Sequence, residues 1–239
     1  MGELLLMYMT QKIVYLTIDD APTKDFRKKV DFLLKKNIPA IFFCRGDFLE
    51  KRKEDVVYAI KKGYIIANHS YNHPRFSKIA LEEAFEQIKK TDKIIEEIYF
   101  KSGVKQLAKL FRFPYGDKSG QNYVKIQEFL KNLGYKQPFF ENINYEWFIA
   151  GKLNTDFDVY WTFDIKEWCL KGDYDPNIKS INDVLNRMKQ KEHKQGGSLL
   201  NPDSNEIVLI HDHEETTELF FKIIDELLKM HLKFELPKF

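Results

Sequence analysis

The stretch IVYLTIDD, residues 13 to 20, reads as a short apolar strand that stops on two adjacent carboxylates. Downstream of it, residues 24 to 36 carry helical periodicity, and the same alternation recurs: Ala40 to Cys44 then 52 to 62, and Tyr64 to Ala67 then 81 to 98. Short apolar runs alternating with amphipathic stretches are a βα rhythm. The stretch 81 to 98 lines up Leu81, Ala84, Phe85, Ile88, Ile95 and Ile98 on one side, and a last helix lines up Leu219, Phe220, Ile223, Ile224, Leu227 and Leu228; each has one stripe to bury. Further strands are expected at Leu110 to Phe113, Phe157 to Phe163 and Ile207 to Ile210, with helices near 120 to 132 and 180 to 193. Continuously apolar strands fit a parallel sheet covered by helices, hence an α/β fold. Segment 136 to 156 is the least readable part, and Phe139, Phe140, Trp147 and Phe148 fit a fifth strand plus a packed loop, a reading that stays open. Gly196-Gly197-Ser198, inside the polar stretch 189 to 206, reads as an exposed loop.

At 239 residues, with no internal repeat and no Pro/Gly/Ser-rich linker, the chain is expected to form one domain, 1–239. Lys and Arg number 38 against 36 Asp and Glu, a formal charge of +2 that gives no field to recruit nucleic acid. The apolar run Leu4 to Met9 is too short for a membrane span or the core of a signal peptide, and no basic segment precedes it. As written the chain reads as cytoplasmic; a chain trimmed of an export signal, secreted or at the cell surface, would read the same. Cys44 and Cys169 are far apart and form no C-x-x-C pair, so two buried thiols are expected.

Polar clusters fall at or just beyond the end of one strand after another. Asp19-Asp20 follow Ile18, His69 and His73 follow Ala67, Arg112 to Gly116 end the run at 110, Asp164 to Trp168 follow Phe163, and His211-Asp212-His213 follow Ile210. In a barrel of parallel strands those ends share one rim, where active sites are built. Single carboxylates after strands are commonly helix caps, but five clusters on one rim point to a site. His69 and His73 are four apart in "ANHSYNHP", a spacing that also occurs in plain polar turns; Pro74 and the polar neighbours favour a loop over a helix. Two imidazoles and a carboxylate leave an open position on a cation such as Zn²⁺, so the third ligand is sought among the aspartates. Asp19 and Asp20 are adjacent and their side chains should diverge, one to the metal and one to the water it activates.

Taken together these motifs resemble the polysaccharide deacetylases, the NodB-homology group or carbohydrate esterase family four, metal-dependent enzymes that include chitin and peptidoglycan deacetylases and acetylxylan esterases. The matching stretches are Thr17-Ile18-Asp19-Asp20-Ala21-Pro22, His69-Ser70-Tyr71-Asn72-His73, Arg112-Phe113-Pro114-Tyr115-Gly116, Asp164-Ile165-Lys166-Glu167-Trp168 and Leu209-Ile210-His211. The resemblance implies a single-domain distorted (β/α) barrel of about seven βα units, and a hydrolase that removes acetyl groups from an N- or O-acetylated carbohydrate. It implies Asp20, His69 and His73 as metal ligands, Zn²⁺ first and Co²⁺ or Ni²⁺ as alternatives. Asp19 would be the general base, paired with Arg112, a cation beside a carboxylate favouring its charged form. His211 would be the acid that protonates the leaving atom, Tyr115 a backbone donor to the developing oxyanion, and Trp168 a wall of the acetyl pocket. Glu167 stands where an aspartate holding the acid histidine is expected, with Asp164 as a substitute. Ala21 replaces a glycine, which would strain the chain by about 1 kcal/mol or more were φ positive there. His213 has no counterpart role and reads as surface. The partner implied is an acetylated saccharide, with no nucleic acid, no membrane span and an open oligomeric state. Two rivals remain, a catalytically impaired carbohydrate-binding relative and a hydrolase of a non-sugar amide or cyclic imide.

Overall fold

The nine residues Ile13–Ala21 form strand β1, rich in β-branched and aromatic side chains and buried along almost its whole length. Residues 11–172, 174–193 and 196–239 are described in this computed structural model, so the run Leu4 to Met9 lies outside the described residues. From β1 the chain passes through helix α1, Phe26–Lys35, to β2, Ile41–Cys44, then through α2, Gly46–Leu49, and α3, Lys53–Lys61, to β3, Ile65–Asn68. Long helix α4, Leu81–Ser102, ends on the left-handed Gly103, a residue that takes that conformation without a Cβ penalty. After it come α5, Tyr123–Asn132, α6, Glu146–Ala150, the two-residue strand β4, Phe163–Asp164, and α7, Ile181–Met188. Strand β5, Glu206–His211, helix α8, Thr217–Lys229, and strand β6, Lys233–Phe234, complete the described elements.

The strands pair in parallel in the order β3-β2-β1-β5-β4, with β6 beside the start of β1. Backbone bonds from Asn68 N to Leu110 O (2.9 Å), Val159 N to Phe111 O (2.8 Å) and Thr162 N to Ile207 O (2.9 Å) carry the wall onward past β3 and back to β5. The named strands alone do not close into a ring. The expectation of about seven βα units therefore meets six strands among the described residues. Residues 110–113 contribute one bridge, Phe111 to Asn68, instead of a full strand, because Pro114 has no N–H to donate and Tyr115 turns the chain at φ 60°; of residues 157–163, Phe163 alone falls in a named strand, β4. Segment 136 to 156 holds α6 and one antiparallel bridge from Phe139 to Lys238.

Side-chain alternation sorts the strands into two faces. Val14, Leu16, Ile18, Phe42, Ile66, Val208 and Ile210 pack outward with Phe26, Val30, Ile60 and Phe220 of the helices. Tyr15, Ile41, Phe43, Ile65, Ala67 and Ile207 fill the interior with Leu110 and Val159. Full burial of one such side chain contributes about 1.5–3 kcal/mol. Following the inward set along each strand leads to Asp19 on β1, His69 just past β3 and His211 on β5. Gly196 is exposed, but Gly197 and Ser198 are buried, against the reading of that loop as exposed. A Cβ on Gly197 would collide with Glu206 and Tyr145, and Ser198 donates its hydroxyl to Gln190 O at 2.7 Å, so the loop is drawn in over the start of β5.

Candidate active site

Parallel register sets Asp19 opposite His211 across the β1–β5 seam, and Asp212 N donates to Asp19 O at 2.8 Å. Asp19 points inward with Tyr15 and Thr17; strict alternation would send Asp20 out toward the helices. It does not go there. Asp20 has φ 61°, and the β1–β2 register slips between Ile18 and Ala21, which turns its carboxylate into the same cleft. The two aspartates therefore do not diverge as expected: Asp19 Oδ2 and Asp20 Oδ1 lie 3.6 and 3.9 Å from His69 Nε2. The left-handed residue is Asp20, and Ala21 is not among the residues of positive φ.

The loop carrying His69 and His73 is fixed from several sides. His69 N donates to Cys44 O at 2.9 Å, Gln87 Oε1 of α4 accepts from Tyr71 N and Asn72 N at 3.0 Å each, and Asn68 Oδ1 accepts from Ser70 N at 2.8 Å. Gly46 lets α2 approach: a Cβ there would sit 2.6 Å from the Tyr71 ring and 2.5 Å from Thr91 Oγ1. His69 Nδ1 lies 2.9 Å from Arg112 O; a carbonyl only accepts, so Nδ1 carries the proton and the Nε2 lone pair faces the cleft. His73 Nε2 is 3.3 Å from Asp20 Oδ1, its ring lies edge-on to Tyr115 with centroids 4.4 Å apart, and burial pushes its pKa down to about 3. Burial pushes Asp20 up, but the hydrogen bond from His213 and the facing imidazoles outweigh it and hold the carboxyl well below its ordinary range. One donor atom each from Asp20, His69 and His73 lie within 4.8 Å of one another. Asp20 Oδ1 is buried with no hydrogen-bond partner, and two neutral imidazoles with one carboxylate are the donor set of a divalent cation such as Zn²⁺, so these residues fit a metal ion.

Arg112, 1% exposed, donates through Nη1 to Asp19 Oδ1 at 2.7 Å and to Thr17 Oγ1 at 2.8 Å, and through Nε to Val159 O at 2.9 Å. Its guanidinium also lies 4.1 Å from the centroid of the Phe43 ring. Glu167 Oε1 accepts from His211 Nδ1 at 2.8 Å and from His211 N at 2.7 Å. Burial disfavours the charged His211 ring, yet Glu167, with Asp20 and Asp19 behind it, outweighs burial and raises the pKa to about 9. Asp164 makes no hydrogen bond to His211: it accepts from Trp168 Nε1 at 3.1 Å and Lys166 N at 2.8 Å, and burial raises its pKa. Trp168 borders the cleft, its ring centroid 6.4 Å from that of His211. Tyr115 is 54% exposed at the opposite edge, under the Arg75 guanidinium at 4.2 Å.

Asp19, Asp20, His69, His73 and His211 line one cleft of about 810 Å³ with Tyr115 and Trp168, and with Phe48, Trp161 and Tyr174 as further aromatic walls, while Arg112 and Glu167 are buried beside it. The sequence reading missed Trp161 and misplaced His213. His213 is not a surface residue: its Nε2 lies 3.0 Å from Asp20 Oδ2 and its ring stacks on His211 with centroids 5.0 Å apart. Alternation from Ile207 through Leu209 and His211 points to His213 as the next inward residue, a signal already present in the sequence.

A family model described as polysaccharide deacetylase matches residues 7–138, more than half of the chain. The chain belongs to the polysaccharide deacetylase family. A peptidoglycan-N-acetylglucosamine deacetylase from Bacillus cereus is 32% identical over 123 residues, which cover 48% of this chain and 43% of that protein. The matched stretch is thus less than half the length of that relative. The peptidoglycan deacetylase PdaC from Bacillus subtilis superposes with a TM-score of 0.61 at 24% identity over 94% of this chain and 87% of its own, a likeness of fold. A CE4 family pseudoenzyme from Bacillus anthracis superposes equally well, TM-score 0.61 at 21% identity, over 95% of this chain and 64% of its own. No described helix is long and apolar enough to cross a membrane.

Proposed function

We propose that this chain, acting as a single domain, hydrolyses acetyl groups from an N- or O-acetylated carbohydrate. The observation that carries the reading is the Asp19–His211 register pair, which sets a carboxylate and an imidazole side by side next to the Asp20, His69 and His73 cluster. Asp20, His69 and His73 would hold one divalent cation, with Zn²⁺ the first choice and Co²⁺ or Ni²⁺ alternatives. When bound, such an ion polarises an acyl oxygen and acidifies water. Asp19, one oxygen held by Arg112, would accept the proton from water as its oxygen bonds to the acetyl carbon. His211, carrying its proton through Glu167, would deliver it to the sugar nitrogen or oxygen as the acyl bond breaks, releasing acetate and the free amine or hydroxyl. The Tyr115 backbone N–H would face the developing negative charge, and Trp168 would wall the acetyl group.

A glutamate in place of the expected aspartate would impair turnover if it misplaced the acid histidine. The 2.8 Å Glu167–His211 contact supports turnover over a binding-only role. The Bacillus cereus relative makes N-acetylglucosamine sugars the first substrates to try. The test is acetate release from chitooligosaccharides, peptidoglycan fragments and acetylxylan. We expect activity lost on chelation and restored by Zn²⁺ or Co²⁺. Sugar binding without acetate release, unchanged by Asp19→Asn, would favour the impaired relative, and turnover confined to cyclic imides would move the substrate off carbohydrates.

A further inference from the structure

The role of His213 depends on Asp20, His69 and His73 holding a metal ion, as proposed above. A carboxylate beside two imidazoles can offer a cation one oxygen or both, and its side chain is free to swing between the two modes unless something holds one oxygen. Among the described residues, His213 donates the hydrogen bond to the Asp20 side chain, Nε2 to Oδ2 at 3.0 Å. Oδ1, buried and without a hydrogen-bond partner, is the oxygen turned toward His73 Nε2 at 3.3 Å and His69 Nε2 at 3.9 Å. An ionised carboxylate has only lone pairs to present, so His213 Nε2 must carry a proton here.

His213 is itself held from outside the cleft. Asp212, next in the chain and pointing outward, lies fully buried against Lys29 of α1, whose Nζ is 2.5 Å from Asp212 Oδ1. Thr23 N and Thr23 Oγ1 donate to the same carboxylate at 2.7 and 2.9 Å, and Lys29 Nζ donates to His213 O at 2.9 Å. This bracket ties the end of β5 to the loop after β1, so the donor and the Asp20 that it addresses move together. The near-parallel His211 ring, at 17° to His213, closes one face.

We propose that His213 is a positioning residue for Asp20: its Nε2–H occupies Oδ2, so that Oδ1 alone is offered beside the two imidazoles. Removing such a supporting hydrogen bond typically weakens metal affinity by about 10- to 100-fold. The experiment is competition of the full-length protein against a chromophoric chelator for Zn²⁺, with the visible spectrum of the Co²⁺ form as a second readout. His213→Ala is expected to lose affinity in that range and to show weaker Co²⁺ absorption as the carboxylate contributes both oxygens and coordination number rises. His213→Gln, which keeps an N–H donor at similar reach, is expected to recover most of both. Wild-type affinity and spectrum in His213→Ala would overturn the proposal while leaving the deacetylase reading standing. Equal loss in Ala and Gln variants would make His213 a direct ligand and overturn it as well. A wild-type protein that binds neither ion overturns both readings. Should His213→Ala fail to fold, an affinity in His213→Gln reduced as far as that of His69→Ala would overturn the proposal.

Discussion

The two ends of the sheet both bury charge, and they treat it in opposite ways. At the end where the strands begin, Glu206 is fully buried, and every acceptor it presents is used: Lys12, Thr162 and Tyr145 all donate to it. Lys12 in turn reaches Ser198 O at 3.0 Å and Asn201 O at 2.7 Å. At the end where the strands finish, Asp20 Oδ1, Arg112 Nη2, Glu167 Oε2 and His213 Nδ1 are buried with no hydrogen-bond partner, four of the seven such side-chain atoms among the described residues. The same end holds Asp20, Ser70, His73, Tyr115 and Lys166 at positive φ. Orphaned polar atoms each cost about 1–3 kcal/mol, and left-handed non-glycine residues add of order 1 kcal/mol each. One end of the sheet stabilises the fold; the other is kept at a higher free energy, with buried polar atoms left without partners.

If that division is right, Asp19→Asn should cut turnover by about 10²- to 10⁴-fold while Zn²⁺ uptake persists. His69→Ala should abolish metal uptake and activity together. His69→Ala should unfold within a few degrees of the parent, which differential scanning calorimetry of the metal-free proteins checks, whereas Asp19→Asn, which leaves the buried Arg112 without its carboxylate, should lose some stability as well as turnover. Retained activity in either would break the assignment of this end to chemistry. Glu206→Ala should do the reverse, destabilising the fold by about 3 kcal/mol by stripping a buried pair of one partner, with kcat per folded molecule unchanged. Denaturant unfolding read beside kcat sharpens the contrast.

A smaller effect separates the two ends by pH. His211 is raised to about 9 against an ordinary value near 6.5, so an acid role keeps it competent through neutral pH and fails only as pH climbs past about 9. The stability sign matches: a raised histidine contributes fully below about 6.5, and its contribution fades as pH rises through about 9. Glu167→Gln removes the charge while keeping an acceptor. The alkaline limb of kcat/KM should then fall toward neutrality, with activity at pH 8.5 down about tenfold. An unmoved limb would mean that His211 does not supply the proton.

Much of this molecule is legible in residue order because parallel, twice-covered strands write themselves as unbroken apolar runs. Ile13 to Ile18, Ala40 to Cys44, Tyr64 to Ala67 and Ile207 to Ile210 each mark a strand, and the polar residues that follow them meet in one cleft. What stays hidden depends on partners distant in sequence. Residues 110–113 look like a strand, yet among the described residues they contribute a single bridge, from Phe111 to Asn68. Gly197-Ser198 look like loop and are drawn inward by Tyr145 and Glu206. His213 looks like surface because β5 ends at His211, although alternation continues two residues further, held by Lys29.

The turn after β1 gives the smallest and most local test of the comparison. A glycine at position 21 would be favourable only if that residue sat at positive φ, and the left-handed position is one residue earlier, at Asp20. Ala21 is fully buried at the end of β1 and pairs in register with Cys44, where a side chain packs and a glycine adds only freedom to the unfolded chain. Ala21→Gly should therefore destabilise by about 0.4–1 kcal/mol instead of relieving strain. Asp20→Gly at the true left-handed site relieves backbone strain but also removes the acceptor of His213, so the denaturant midpoint of the metal-free protein should change little while metal uptake is lost. A gain in stability from Ala21→Gly would show that the strain at this rim is not seated at Asp20.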